Sequence, residues 1–148
     1  MRKAMILLLA AVLAADIIAC RKNEGSYAAL GKYAEAGAVL DKEIAASETL
    51  AAALDKATSA EQVAAAFEAG AVALTKLAPK MNEVVANFPE LRSPDRFPTE
   101  LKPFQDRVLV VTDKLINAMT KAGSLLLEPN VVAAREKYSK AVKLIFSF

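Results

Sequence analysis

From Ser26 onward, apolar residues recur at steps of three and four, the period of a helix buried along one face. Tyr27, Leu30, Ala34, Gly37, Leu40, Ile44, Ser47, Ala51 and Leu54 form the first series. Strong helix formers (Ala, Leu, Glu, Lys) fill the positions between them. Thr58-Ser59 interrupts the series, and Ser59 followed by Gln62 has the spacing of a capping box. A second helix then reads Val63, Phe67, Gly70, Leu74, Leu77, Met81, Val84 and Phe88, a heptad seam without a slip. Pro79 lies on its opposite face and predicts a kink, because its missing N–H breaks the hydrogen-bond ladder. Phe88–Pro103, with four of the six prolines, reads as a loop. A third helix is expected from about Thr99, with Leu101, Phe104, Val108, Val111, Leu115, Ala118, Ala122 and Leu125 on its seam. Pro103 in its first turn loses a donor that the helix does not use. Glu128-Pro129-Asn130 breaks the chain, and a fourth helix from about Val131 carries Ala134, Tyr138, Ala141, Ile145 and Phe148 on one face. Period-two alternation is missing over any useful length, so no strand is expected.

Each helix has an apolar stripe and a charged opposite face, and each stripe must be buried against the others. Two short connections and one long one predict two helical hairpins. The expected fold is therefore all-α, an antiparallel four-helix bundle over residues 26–148. Counting from Thr58-Ser59 sets Leu54 near Val63, Leu50 near Phe67, Ile44 near Leu74, Leu40 near Leu77 and Gly37 near Met81. Gly37, Ser47 and Gly70 should let these two helices approach closely. Counting from Glu128-Pro129 sets Leu125 near Val131, Ala122 near Ala134, Ala118 near Tyr138, Leu115 near Ala141 and Val111 near Ile145. Tyr138 would then have room beside the small Ala118.

Residues 1–19 have a different character. Met1–Lys3 is basic, Ala4–Ala15 is wholly apolar, Asp16 interrupts, and Ile17-Ile18-Ala19 leads to Cys20, the only cysteine. One helix over Ala4–Ala19 would reach ~24 Å, short of the ~30 Å hydrocarbon core of a bilayer. A basic start, a short apolar run and a small residue before a polar stretch describe an export signal. Ile17-Ile18-Ala19-Cys20 resembles the lipobox of bacterial lipoproteins, although Asp16 departs from that pattern. The resemblance covers only the leader. It implies cleavage before Cys20, diacylglycerol on its sulfur and a polar tether over residues 20–25. Two or more acyl chains anchor a protein stably where one does so marginally. Arg21 follows the cysteine where an aspartate would imply inner-membrane retention. The resemblance thus implies the outer membrane, facing the periplasm, over the inner one. The plainer readings of these residues are an ordinary signal peptide and an uncleaved anchor helix.

Charge and composition narrow the function. With 19 basic and 17 acidic side chains the formal net charge is +2, without the clustered basic excess of a nucleic-acid partner. A lone cysteine allows no internal disulfide. Histidine is absent, which removes histidine-based nucleophilic triads, Glu-x-x-His di-iron sites, histidine zinc sites and histidine-ligated haem. Met81 and Met119 read as core filler. There is no Ser-x-x-Lys and no phosphate-binding glycine loop. Glu61 and Glu68, and Asp106 and Asp113, sit two turns apart on solvent faces. Glu90, Asp95 and Glu100 share the proline loop with Arg92 and Arg96 but lack EF-hand spacing. No catalytic, cofactor or metal residues are expected.

Arg135, Lys137, Lys140 and Lys143 make the fourth helix basic, a candidate face for anionic headgroups or for a partner. Pairing of Glu136 with Lys140 and the helix dipole account for the same residues more plainly. The expected function is a lipid-anchored, non-enzymatic bundle of the bacterial cell envelope, held to the membrane through Cys20 and acting by contact with another envelope protein. The alternative is a binding protein that holds an apolar or lipid-like ligand in the bundle core. An apolar pocket of several hundred cubic ångströms would favour that alternative. Lipidation of Cys20 has a direct test: a palmitate analogue fed to cells should label the protein, and Cys20→Ser should abolish the label. Label persisting on the Ser variant would refute it.

Overall fold

The computed structural model of the chain describes residues 27–93 and 96–146. The 1–19 leader, Cys20, the 20–25 tether, Asp95 and Phe148 lie outside the described residues. Four α-helices carry the fold: α1 over Ala34–Lys56, α2 over Ala60–Asn87, α3 over Lys102–Ala122 and α4 over Pro129–Phe146. Strands are absent among the described residues, as the periodicity requires. None of the described helices is long and apolar enough to cross a membrane.

The boundaries follow local chemistry. α1 begins later than its apolar series, because Tyr27–Tyr33 is 3-10 helix broken at Gly31, whose φ of 55° lies outside the helical region. Between α1 and α2, the Ser59 hydroxyl accepts from the Gln62 backbone N–H at 3.4 Å. The Gln62 side chain reaches back one residue beyond the usual cap position, accepting from the Thr58 N–H at 2.7 Å. Pro79 is exposed and does not end α2. α3 ends at Ala122, three residues short of its expected seam, because Gly123 takes φ 51° and closes the helix by donating to the Met119 carbonyl. A 3-10 segment, Gly123–Leu127, fills the connection. Pro129 is the first residue of α4 rather than a breaker before it, a position where its fixed φ suits the helix start.

Packing bears out the bundle but reorders its neighbours. α1 lies against both α2 and α3, and α2 also lies against α4, whereas α3 and α4 make no extended contact. The core is two clusters. Toward the α1–α2 turn, Leu50, Leu54, Val63, Ala66, Phe67, Ala118, Ala122, Val131 and Ala134 pack together. Toward the other end, Tyr33, Ala36, Val39, Leu74, Met81, Val84, Leu101, Ala141 and Ile145 do so. Tyr138 packs against both.

This arrangement corrects several expected neighbours. Gly37 does not face Met81: a Cβ there would collide with Leu30 and would lie 3.4 Å from Phe104 and Tyr27. Ile44 is turned toward Val108 and Val111 of α3. The reason is that α1 serves two partners, so its inward surface is two adjacent stripes. In the second pair, Ala118, Ala122, Val131 and Ala134 still share a cluster near the turn, but Val111 is in neither cluster and Ile145 packs at the far end with Val84 and Leu101. Tyr138 finds its room beside Gly70 of α2, where a Cβ would lie 3.2 Å from its ring and 3.4 Å from Leu50. Phe67 stacks on the same ring, with centroids 5.8 Å apart.

Polar contacts trim the edges. Arg107 pairs with Asp41 and Lys121 with Asp55 at 2.9 Å across α1 and α3, and Lys137 pairs with Glu68 at 2.6 Å across α2 and α4. Exposed pairs of this kind stabilise by less than ~1 kcal/mol and serve mainly to orient the helices. Phe67, only 2 % exposed, carries far more. Phe67→Ala should cost ~3–5 kcal/mol in urea unfolding, and a loss under ~1 kcal/mol would contradict its central place.

Candidate binding cleft

Because α3 and α4 do not close on each other, a cleft of about 430 Å³ opens between them. α3 contributes Leu115 and Met119, α4 contributes Val132, Arg135, Glu136, Tyr138 and Ser139, and Phe67 of α2 lies at the bottom. Leu115 also lines a second, smaller hollow of about 40 Å³ against α1, together with Glu43, Ile44, Ser47, Val108, Val111 and Thr112.

Beside the face used for packing, α3 and α4 each carry a second stripe that includes residues of the cleft. On α3, Leu109, Thr112, Ile116 and Met119 follow steps of three, four and three. Leu109 is 62 % exposed and Ile116 51 %, so this stripe has no partner helix within the described residues. On α4, Val132, Arg135, Ser139 and Val142 repeat the same steps. Both stripes were available in the sequence. Each helix also has one complete seam, so the pattern alone does not mark the second stripe as functional.

Glu43 is the residue sequence reasoning missed. It falls one turn after Val39 and Leu40, one turn before Ser47 and two turns before Leu50, on the inward side of α1. There it is half-buried in the interval between the two core clusters. Among the described residues, the group bonded to its carboxylate is the Ser47 hydroxyl, which donates at 3.3 Å. Burial pushes the Glu43 pKa up, and the Ser47 hydrogen bond offsets this only in part. Burial likewise raises the Tyr138 pKa, and the negative charge of Glu43 raises it further. Thr112, on the α3 side of the hollow, donates its hydroxyl to the Val108 carbonyl at 2.8 Å and keeps its lone pairs for a second partner.

The basic residues of α4 do not form one patch. Arg135 lines the cleft, while Lys137 turns to the other flank and meets Glu68 of α2. Lys140 and Lys143 are exposed between those directions. No group of three or more metal-ligating side chains occurs among the described residues. Glu90 in the proline loop is tied down by the Tyr33 hydroxyl at 2.8 Å and by Lys32 at 3.6 Å. Comparison of the chain with known protein families, with curated proteins and with solved structures finds no match.

Chemically, the site offers a mostly apolar cleft with Arg135, Glu136 and Ser139 on its lining, and a separate small hollow that holds a poorly compensated carboxylate. Its energetic cost is measurable. A carboxyl whose native pKa is raised holds its proton better in the folded state than in the unfolded one. It therefore detracts from stability as pH rises through the ordinary carboxylate value and on through the native one. Glu43→Gln should accordingly be more stable than the natural chain at pH 7, with the gap closing as pH falls below that ordinary value. Paired urea titrations between pH 4 and pH 7 measure this, and a gap independent of pH would refute it.

Proposed function

We propose that this protein is a lipid-anchored, non-enzymatic binding protein of the bacterial cell envelope, and that the cleft between α3 and α4 receives an apolar ligand. The observation that carries the reading is the cleft of about 430 Å³ walled by Phe67, Leu115, Met119, Val132 and Tyr138. That volume falls within the range of small-molecule sites, which are mostly apolar with a few placed polar groups. Placement in the envelope and at the outer membrane rests on Ile17-Ile18-Ala19-Cys20 and Arg21 of the leader.

A second reading has its own support. Leu109, Val110 and Ile116 expose a large apolar area along α3, more than a lone bundle needs in water. A partner envelope protein that covers this strip would act through protein contact rather than through a ligand.

One experiment separates the two. A photoreactive residue at Met119, inside the cleft, is compared in living cells with one at Ile116 on the strip and one at Lys114 on the outer face. A small-mass adduct at Met119 alone supports the ligand reading. A protein-sized adduct at Ile116 supports the contact reading. Adducts at neither, or equally at Lys114, would overturn both.

A further inference from the structure

The hollow beside Glu43 is too small to belong to the apolar body of a ligand and too polar to be a packing defect. Its volume of about 40 Å³ exceeds the ~10–15 Å³ needed for one water-sized group, and leaves little space beyond that. Three of its lining side chains, Glu43, Ser47 and Thr112, carry acceptor oxygens. The carboxylate has no basic partner among the ion pairs of the described residues, which pair Asp41, Asp55, Glu35, Glu68, Glu83 and Glu90 instead. A half-buried anion left this way is costly unless something cationic meets it.

We propose that the hollow and the cleft form one site for a primary amine carried on an apolar body. This deepens the ligand reading above and rests on it. The protonated amine, with three N–H donors, sits among the Glu43 carboxylate and the Ser47 and Thr112 hydroxyls, and the apolar body runs past Leu115 into the larger space beside Met119, Val132 and Phe67. Leu115 borders both compartments, so it is the side chain over which such a molecule bends.

The chemistry excludes the near relatives of this ligand. A fatty acid would bring a second anion toward Glu43. A quaternary ammonium has no N–H to donate and is held by aromatic cages, whereas the hollow has no aromatic side chain. A guanidinium needs a broader planar slot than 40 Å³ provides. Arg135 and Glu136 stand together on the rim of the cleft and give its mouth no net preference for either sign.

The test uses the full chain in neutral detergent, titrated separately with n-hexylamine and with n-hexanol at neutral pH while the methyl resonances of Leu115 and Met119 are followed. The expected result is saturable binding of both, with the amine held about tenfold tighter or more, as a charge-assisted contact should give. Glu43→Gln keeps the shape and the acceptor oxygen but removes the charge. It should abolish the preference for the amine, bringing its affinity down to that of hexanol. Met119→Trp, which narrows the cleft, should weaken both probes. Equal affinities in the natural chain, or a preference that survives Glu43→Gln, would overturn the amine inference. Hexanol binding without amine preference leaves the apolar-ligand reading standing alone. Binding of neither probe refutes both.

Discussion

The ring of Tyr138 rests on bare backbone at Gly70, and this contact decides where α4 lies. A Cβ at that position would stand 3.2 Å from the ring, so the bare backbone of α2 leaves the recess that the ring fills. Phe67, one turn earlier on α2, closes the other side of the same ring. Interiors pack at the density of organic crystals, so an aromatic ring goes where a matching recess exists. Once α4 is committed to α2, it cannot also cover α3. The short Gly123–Leu127 connection keeps the two helices consecutive without bringing them together. The open side of the bundle is thus a consequence of one recess.

The second consequence is a divided core. α3 is held by α1 through Ile44 and Val111, both nearly inaccessible, and by the two outer ion pairs. Where α1 passes the open side, its inward positions are Glu43 and Ser47 instead of Leu or Val. A carboxylate is tolerable at that place because the missing fourth wall lets water, or a ligand, reach it. In a closed bundle the same residue would bear the full cost of an unpaired buried charge. The open side thus makes the polar pair tolerable where a closed bundle would not.

Much of this was legible in the sequence. The α2 seam emerged as read because α2 has continuous apolar neighbours and an uninterrupted three–four period. The α1–α2 turn followed from the capping chemistry of Ser59 and Gln62. What failed were statements about which helix meets which. Periodicity identifies the buried side of a helix, but it does not say whether one neighbour or two lie against that side. On α1 the residues facing α3 run together with those facing α2 in one period, so the pattern alone sets Gly37 and Ile44 against α2. Leu125 prolongs an apparently unbroken series past Gly123, although the positive φ of Gly123 ends the helix. A glutamate between apolar residues is usually a solvated one, so the spacing of Glu43 from Val39, Leu40 and Ser47 points inward while its burial is fixed only by the tertiary arrangement.

The topology also relates the cleft to the proposed anchor. Tyr27 bonds Asp41 at 2.6 Å, and Tyr33 packs with Val84, Leu101 and Ile145, so the chain enters the bundle at the end where α2 and α4 finish and α3 begins. Seven residues separate Cys20 from Tyr27, a reach of at most ~25 Å when extended. A lipid on Cys20 would hold this end near the membrane surface. Of the basic residues on α4, Lys143 lies toward that end, while Arg135 lies eight residues, or ~12 Å along the axis, farther away. The cleft residues Val132, Met119 and Phe67 belong to the half remote from the tether, with the α1–α2 turn. With a lipid on Cys20, a site placed there would open to the aqueous compartment and not to the acyl chains of the bilayer. Its ligand would then arrive through water. An apolar body with a charged amine meets that requirement better than a wholly apolar one, because the ammonium carries it in solution until the Glu43 carboxylate replaces the water around it.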